Sequence, residues 1–222
     1  MMINRRQAIV GSSLQALTLR ANYASSETDE PREPTIDIDR YYHQGRNENK
    51  VTIIEYINFQ CPHCRKNFRD IQWLIKNHGN KFDLIIKHLT LNKSHSYAYR
   101  LAAYYESLRL QSNEHSRVFH DIILDHLKFP SGPNFGFSDN EGRKKISDKI
   151  FKQIDLAVEF SGANLKKTEI DWRSIDIEEL IRNDIREAYN LGGRGTPFFW
   201  LNGDTLSGFQ SYENLENYIE LI

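Results

Sequence analysis

Residues 51 to 59 read Val-Thr-Ile-Ile-Glu-Tyr-Ile-Asn-Phe, mostly apolar and rich in β-branched and aromatic side chains. Such a run fits a strand buried on both faces of a sheet, and therefore a central one. Beyond residue 64 the period changes: Phe68, Ile71, Trp73 with Leu74, and Ile75 recur at helical spacing up to the stop Asn77-His78-Gly79-Asn80. From Phe82 to Leu91 strand character returns. Strand, helix and strand at so short a spacing predict a βαβ unit with parallel strands.

From Ser94 to about Asn190 the pattern is helical. Ala98, Leu101, Ala102, Tyr105 and Leu108 form one apolar stripe, and Val118, Phe119, Ile122 and Ile123 form a second. Ile146, Ile150, Ile154, Ala157 and Val158 form a third; Leu180, Ile181, Ile185 and Ala188 follow, with Gly192 as the C-terminal stop. The one conspicuous loop runs from Phe129 to Phe137 through Phe135, and its role is open. Phe198 to Leu201, the turn Asn202-Gly203-Asp204 and Thr205 to Gly208 predict an antiparallel hairpin, and Ser211 to Leu221 predicts a closing helix. The expected layout is a sheet-and-helix core from 50–93 and 191–222, with a helical subdomain, 94–190, inserted into it.

The first 24 residues differ from the rest. Asn4-Arg5-Arg6 leads into a mildly apolar stretch from Ala8 to Leu19, with no acidic residue before Glu27. This reads as an export signal, and the paired arginines resemble a twin-arginine leader. A disordered amphipathic arm is the alternative, since twelve such residues are too few to span a bilayer of roughly 30 Å. Residues 25–49 are polar and carry Pro31 and Pro34, as expected of an arm ahead of the fold. The chain has 222 residues, 29 basic and 30 acidic, for a net charge of -1. That balance predicts no nucleic-acid partner.

The chemistry is concentrated at Cys61-Pro62-His63-Cys64, the only two cysteines, placed where the first strand gives way to its helix. Residues i and i+3 on a first helical turn are neighbours, so the pair can open and close as a disulfide with little backbone movement. Unpaired N–H groups and the positive dipole end at a helix N-terminus stabilise a thiolate, with most benefit to Cys61. That favours the reduced form and makes the disulfide the stronger oxidant. His63 adds a proton-linked charge or an N–H donor, and Arg65, Lys66 and Arg69 follow on the same helix. An inert disulfide closing so small a loop would constrain the unfolded chain very little. Zinc would need two further ligands, and no second Cys-x-x-Cys or His-x3-His pair supplies them. The expectation is therefore a redox dithiol with no metal and no cofactor beyond its own disulfide.

Strand, Cys-Pro-His-Cys, helix, strand, helical insertion, then Gly195-Thr196-Pro197 and a hairpin resembles the DsbA-like branch of the thioredoxin superfamily, from about Val51 to Ile222. The resemblance implies an α/β thioredoxin fold with a helical subdomain between the second and third core strands. It implies that Thr196 and Pro197 form a cis-proline loop that meets substrate beside Cys61. It also implies a buried pair of Glu55, six residues before Cys61, with Lys87 on the next strand; outward-facing side chains at a sheet edge are the alternative. The function implied is thiol-disulfide exchange in the periplasm on exported cysteine-containing proteins that are unfolded or partly folded, with a redox partner to reset the pair. Threonine before the proline, where the best-known oxidases carry valine, leaves the direction of exchange open between oxidase and reductase or isomerase. A chaperone-like binding module without catalysis and a glutathione-linked transferase or isomerase are the remaining alternatives. Membrane contact is expected only through a leader or a redox partner.

Overall fold

The computed structural model describes residues 33–46, 50–90, 96–129 and 140–220. The export-like segment and the loop around Phe135 lie outside them. Five strands form one mixed sheet in the order β1-β3-β2-β4-β5. They are β1 (Tyr41–His43), β2 (Val51–Ile57), β3 (Phe82–His88), β4 (Phe198–Leu201) and β5 (Asp204–Ser207). β2 and β3 run parallel, with Val51 opposite Phe82 and Ile57 opposite His88; the other neighbours are antiparallel. Helix α1 (Pro62–His78) joins β2 to β3, which completes the βαβ unit, and α7 (Tyr212–Glu220) closes the chain.

Between β3 and β4 lie α2 (Ala98–Arg109), α3 (Asn113–His126), α4 (Asn140–Phe160), α5 (Leu165–Asp171) and α6 (Ile175–Asn190). The insertion thus falls between the second and third strands of the thioredoxin core, counted from β2. Local chemistry sets its boundaries: the side chains of Ser112, Asn164 and Ser174 accept backbone N–H groups at the starts of α3, α5 and α6. Gly192, at φ 95°, ends α6 in a conformation that other residues rarely adopt. In the β4-β5 hairpin, Asn202 (φ 45°) and Gly203 (φ 111°) take the two left-handed positions of a tight turn.

Alternation along the strands sorts the core into two layers. Ile53, Ile57, Leu84, Ile86, Phe199 and Leu201 pack with α1, α7 and the stripes of α2, α3 and α4. Ile54, Tyr56, Ile85, Phe198 and Trp200 face the other way and meet Ala188 and Ile185 of α6. The strand over residues 51–59 is central, as its mostly apolar run requires, but it ends at Ile57 because Asn58 turns the chain.

Residues 33–46 belong to the fold instead of forming an arm ahead of it. β1 adds an edge strand to β3, Tyr42 is 5% exposed, and Arg40 is only 3% exposed. Polarity concealed this, because Arg40 is buried through pairing. Its guanidinium meets both oxygens of Asp184 at 2.7 Å and Glu106 at 2.8 Å. Among the described residues, no helix is long and apolar enough to cross a membrane.

Candidate active site

Asn58 builds the turn that delivers the cysteines. Its side-chain Oδ1 accepts the Gln60 N–H at 2.9 Å and its carbonyl accepts the Cys61 N–H at 2.8 Å. Cys61 then caps α1, with Pro62 at the first helical position, where a missing N–H costs nothing. Cys64 follows on the first turn, fully buried, while Cys61 is 6% exposed. The insertion grips this turn from behind. The Phe59 ring packs at centroid distances of 5.9 Å from Tyr105, 6.2 Å from Phe119 and 5.7 Å from His120. Gln60 Oε1 accepts the Tyr97 N–H at 2.6 Å, tying the residue before Cys61 to the start of α2.

Opposite Cys61 stands the Thr196–Pro197 peptide, which is cis. The Cys61 Sγ lies 3.2 Å from the Thr196 carbonyl oxygen. The two thiols titrate far apart. A hydrogen bond from the Cys64 thiol lowers Cys61 to about 5, helped by the Thr196 side chain and by the backbone N–H groups of Cys64 and His63, against the opposing effect of burial. Burial pushes Cys64 well above the ordinary thiol value, and its hydrogen bond to Cys61 adds to that. One sulfur is therefore an anion at neutral pH and its neighbour holds a proton.

Glu55 lies 3% exposed on the same side of the sheet as the cysteines. Desolvation, then the Cys61 charge, pushes its carboxyl up to about 8. Lys87 does not join it. The register sets Glu55 opposite Ile86 and Lys87 opposite Tyr56, and adjacent residues of a strand point to opposite faces. Lys87 Nζ instead donates to the Thr35 carbonyl at 2.8 Å and pairs with Glu187. The expected Glu55–Lys87 pair is corrected by that one-residue offset. Aligning the two strand starts in the sequence would have exposed it.

His63 is exposed, and its backbone N–H, not its ring, is what acts on Cys61. Pro62 is exposed beside it. Asn58, Gln60 and Tyr97 were not singled out from the sequence. An Asn two residues before Gln60 at a strand end was the available sign of a local turn.

A family model described as Thioredoxin matches residues 39–221. The chain belongs to the thioredoxin family. Within that family its arrangement is the DsbA-like one, with helices set into the core after β3. Two solved structures share the fold. A thioredoxin-like oxidoreductase from Silicibacter pomeroyi superimposes with a TM-score of 0.62 at 19% identity, covering 83% of this chain and 92% of that one. The thiol-disulfide exchange protein alpha-DsbA2 from Wolbachia pipientis gives 0.60 at 21% identity, covering 80% and 84%. A curated relative, Na(+)/H(+) antiporter NhaA 3 of Salinispora tropica, is 30% identical over 180 residues, which is 81% of this chain and 24% of the antiporter. The chain thus spans about a quarter of the length of that relative.

Proposed function

We propose that this thioredoxin-family chain is an exported thiol-disulfide oxidoreductase that donates the Cys61–Cys64 disulfide to substrate thiols. The observation that carries the reading is the split between a Cys61 thiol lowered to about 5 and a Cys64 thiol raised by burial, at a helix N-terminus facing a cis-proline. The exchange follows from that split. A substrate thiolate attacks Cys61 Sγ, the sulfur accessible from solvent; the Cys61–Cys64 bond breaks, and its electron pair leaves on Cys64. Because Cys64 binds a proton tightly, and the Glu55 carboxyl, raised to about 8, interacts with it electrostatically, Glu55 is the group assigned to supply one. The substrate's second thiolate then attacks the substrate sulfur of the mixed disulfide, and Cys61 departs as a stable thiolate. Two electrons and one disulfide have changed hands.

Stabilising the reduced pair in this way makes its disulfide oxidising. The Thr196 side chain pushes in the same direction, since its hydrogen bond lowers Cys61. Substrates would be cysteine-containing chains that are unfolded or partly folded, and a separate oxidant protein would restore the disulfide. No cofactor beyond the two sulfurs is needed. The export-like first 24 residues support a location outside the cytoplasm, and the twin-arginine form of that leader belongs to the same proposal.

Equilibration with glutathione tests the direction. The expected reduction potential lies well above the roughly -270 mV of thioredoxin, toward the roughly -120 mV of DsbA. A value near thioredoxin would instead support a reductase. Reactivation of scrambled substrate by the reduced chain, without added oxidant, would support an isomerase.

A further inference from the structure

α1 carries no carboxylate before Asp70, whereas His63, Lys66 and Arg69 are exposed along its first two turns. Arg65 reaches sideways, donating to the Leu124 carbonyl at 3.1 Å, and Arg69 lies 3.9 Å from Asp125. These contacts seat the end of α3 against α1. On the other side, Lys66 Nζ stands 3.9 Å from the centre of the Phe209 ring. Gly208, the residue before it, donates its N–H to the Pro197 carbonyl at 2.8 Å. Lys66 therefore sits over the link between the redox helix and the cis-proline loop.

The positive sign at this rim is only partly matched. The chain as a whole is nearly neutral at -1. Some exposed cations on other helices are matched within their own turn: Arg117 with Glu114, Arg182 with Glu178 and Lys167 with Asp171, each at 2.5 Å. Two carboxylates border the α1 rim. Asp125 lies between Arg69 and His126, at 3.9 and 3.5 Å, and Asp70 accepts the Tyr212 N–H at 3.3 Å. The Arg69 side chain is 81% exposed, so little of its charge serves the fold. The helix N-terminus adds potential of the same sign where the thiolate sits.

We infer that this rim selects substrates: the preferred partner is a peptide segment in which the reactive cysteine is flanked by acidic residues. The inference rests on the exchange reading above and names the substrate class for that same site. The bonds made and broken are unchanged, with the substrate thiolate attacking Cys61 and the electron pair leaving on Cys64. What the rim adds is attraction in the encounter, for the acidic flanks and for the thiolate itself, in a field that salt screens.

Two peptides test it, each with one cysteine, one flanked by glutamates and the other by lysines, reacted with the oxidised chain at matched thiolate concentration. The expected rate ratio at low ionic strength is about three- to ten-fold in favour of the acidic peptide, falling toward unity at ~1 M salt, where screening acts within about 3 Å. In Lys66→Glu/Arg69→Glu the ratio should collapse or invert; Lys66→Gln/Arg69→Gln serves if the reversal does not fold. Using a ratio cancels any change in the sulfurs themselves. Equal rates for the two peptides, or a preference untouched by both double variants, would overturn the inference while leaving the exchange reading standing. Failure of both peptides to react would overturn the exchange reading and the inference with it.

Discussion

The two faces of the sheet handle buried charge in opposite ways. On the α6 side, ionised groups are matched. Arg40 joins Asp184 and Glu106, Glu106 also accepts from Arg109 at 2.6 Å and, across the end of β3, from His88 at 2.8 Å, whose ring lies against Phe59 and Tyr105 of the other layer, and Lys87 pairs with Glu187, which takes the Tyr56 hydroxyl at 2.5 Å. On the α1 side, Glu55 has no ion pair among the described residues and shares its layer with two thiols. Burial alone would raise Glu106 too, but Arg40 and then His88 bring it below the ordinary carboxylate range, whereas desolvation of Glu55 goes unanswered. Buried charge that is matched holds elements together; buried acid left unmatched keeps its proton and can move it.

Breaking the reactive face should have the largest effect. Cys61→Ser should leave the fold intact and reduce disulfide donation by at least about a thousand-fold, since the Cys61–Cys64 disulfide that is donated can no longer form; insulin or peptide oxidation measures this. A variant that retains exchange would mean that the Cys61–Cys64 pair does not carry it.

Next comes the matched face. Arg40→Ala leaves Glu106 and Asp184 buried without their main cation, at a cost of about 3–5 kcal/mol in denaturant unfolding. The thiolate titration of Cys61 should not move. If it did, the two faces would be coupled and the contrast between them would fail.

Glu55→Gln comes third. The native carboxyl, at about 8, holds its proton across a window in which an unfolded one, near 4.3, has lost it. The native state therefore binds more protons between those values, and stability falls as pH rises through the window. Glutamine removes that slope, so the variant should gain a few kcal/mol over wild type at pH 8 and little at pH 4. Release of Cys64 in single-turnover exchange should slow at the same time. A pH-independent difference in stability would mean that Glu55 does not titrate as assigned.

The smallest expected effect belongs to Thr196→Val. Losing the hydroxyl should raise the Cys61 titration, read by thiolate absorbance, above its value of about 5. The potential should fall accordingly. An unchanged titration would assign the low value to Cys64 and the backbone alone.

Much of the core was legible because its signals are local. The mostly apolar run at 51–57 marked a central strand, the helical period marked α1, and Asn202-Gly203 marked the hairpin. Cys61, Cys64 and the Thr196–Pro197 step could be named because their chemistry is tied to residue type and order. Residues 33–46 were concealed, since a polar stretch with a buried arginine looks like any other polar stretch until its carboxylate partners, 66 and 144 residues away, are in place. Lys87 was legible as a buried lysine but not in its partner.

Sequence alone determined the order of the elements, the position of a dithiol at a helix start and the residue types available to tune it, because periodicity, turn preference and sulfur chemistry act over a few neighbouring residues. Tertiary structure decided which side of the sheet each charge faced, that Thr196 would stand 3.2 Å from Cys61, and that Glu55 would keep its proton while Lys87 met Glu187. Those outcomes depend on strand register and on desolvation, and both arise only when distant segments come together and exclude water.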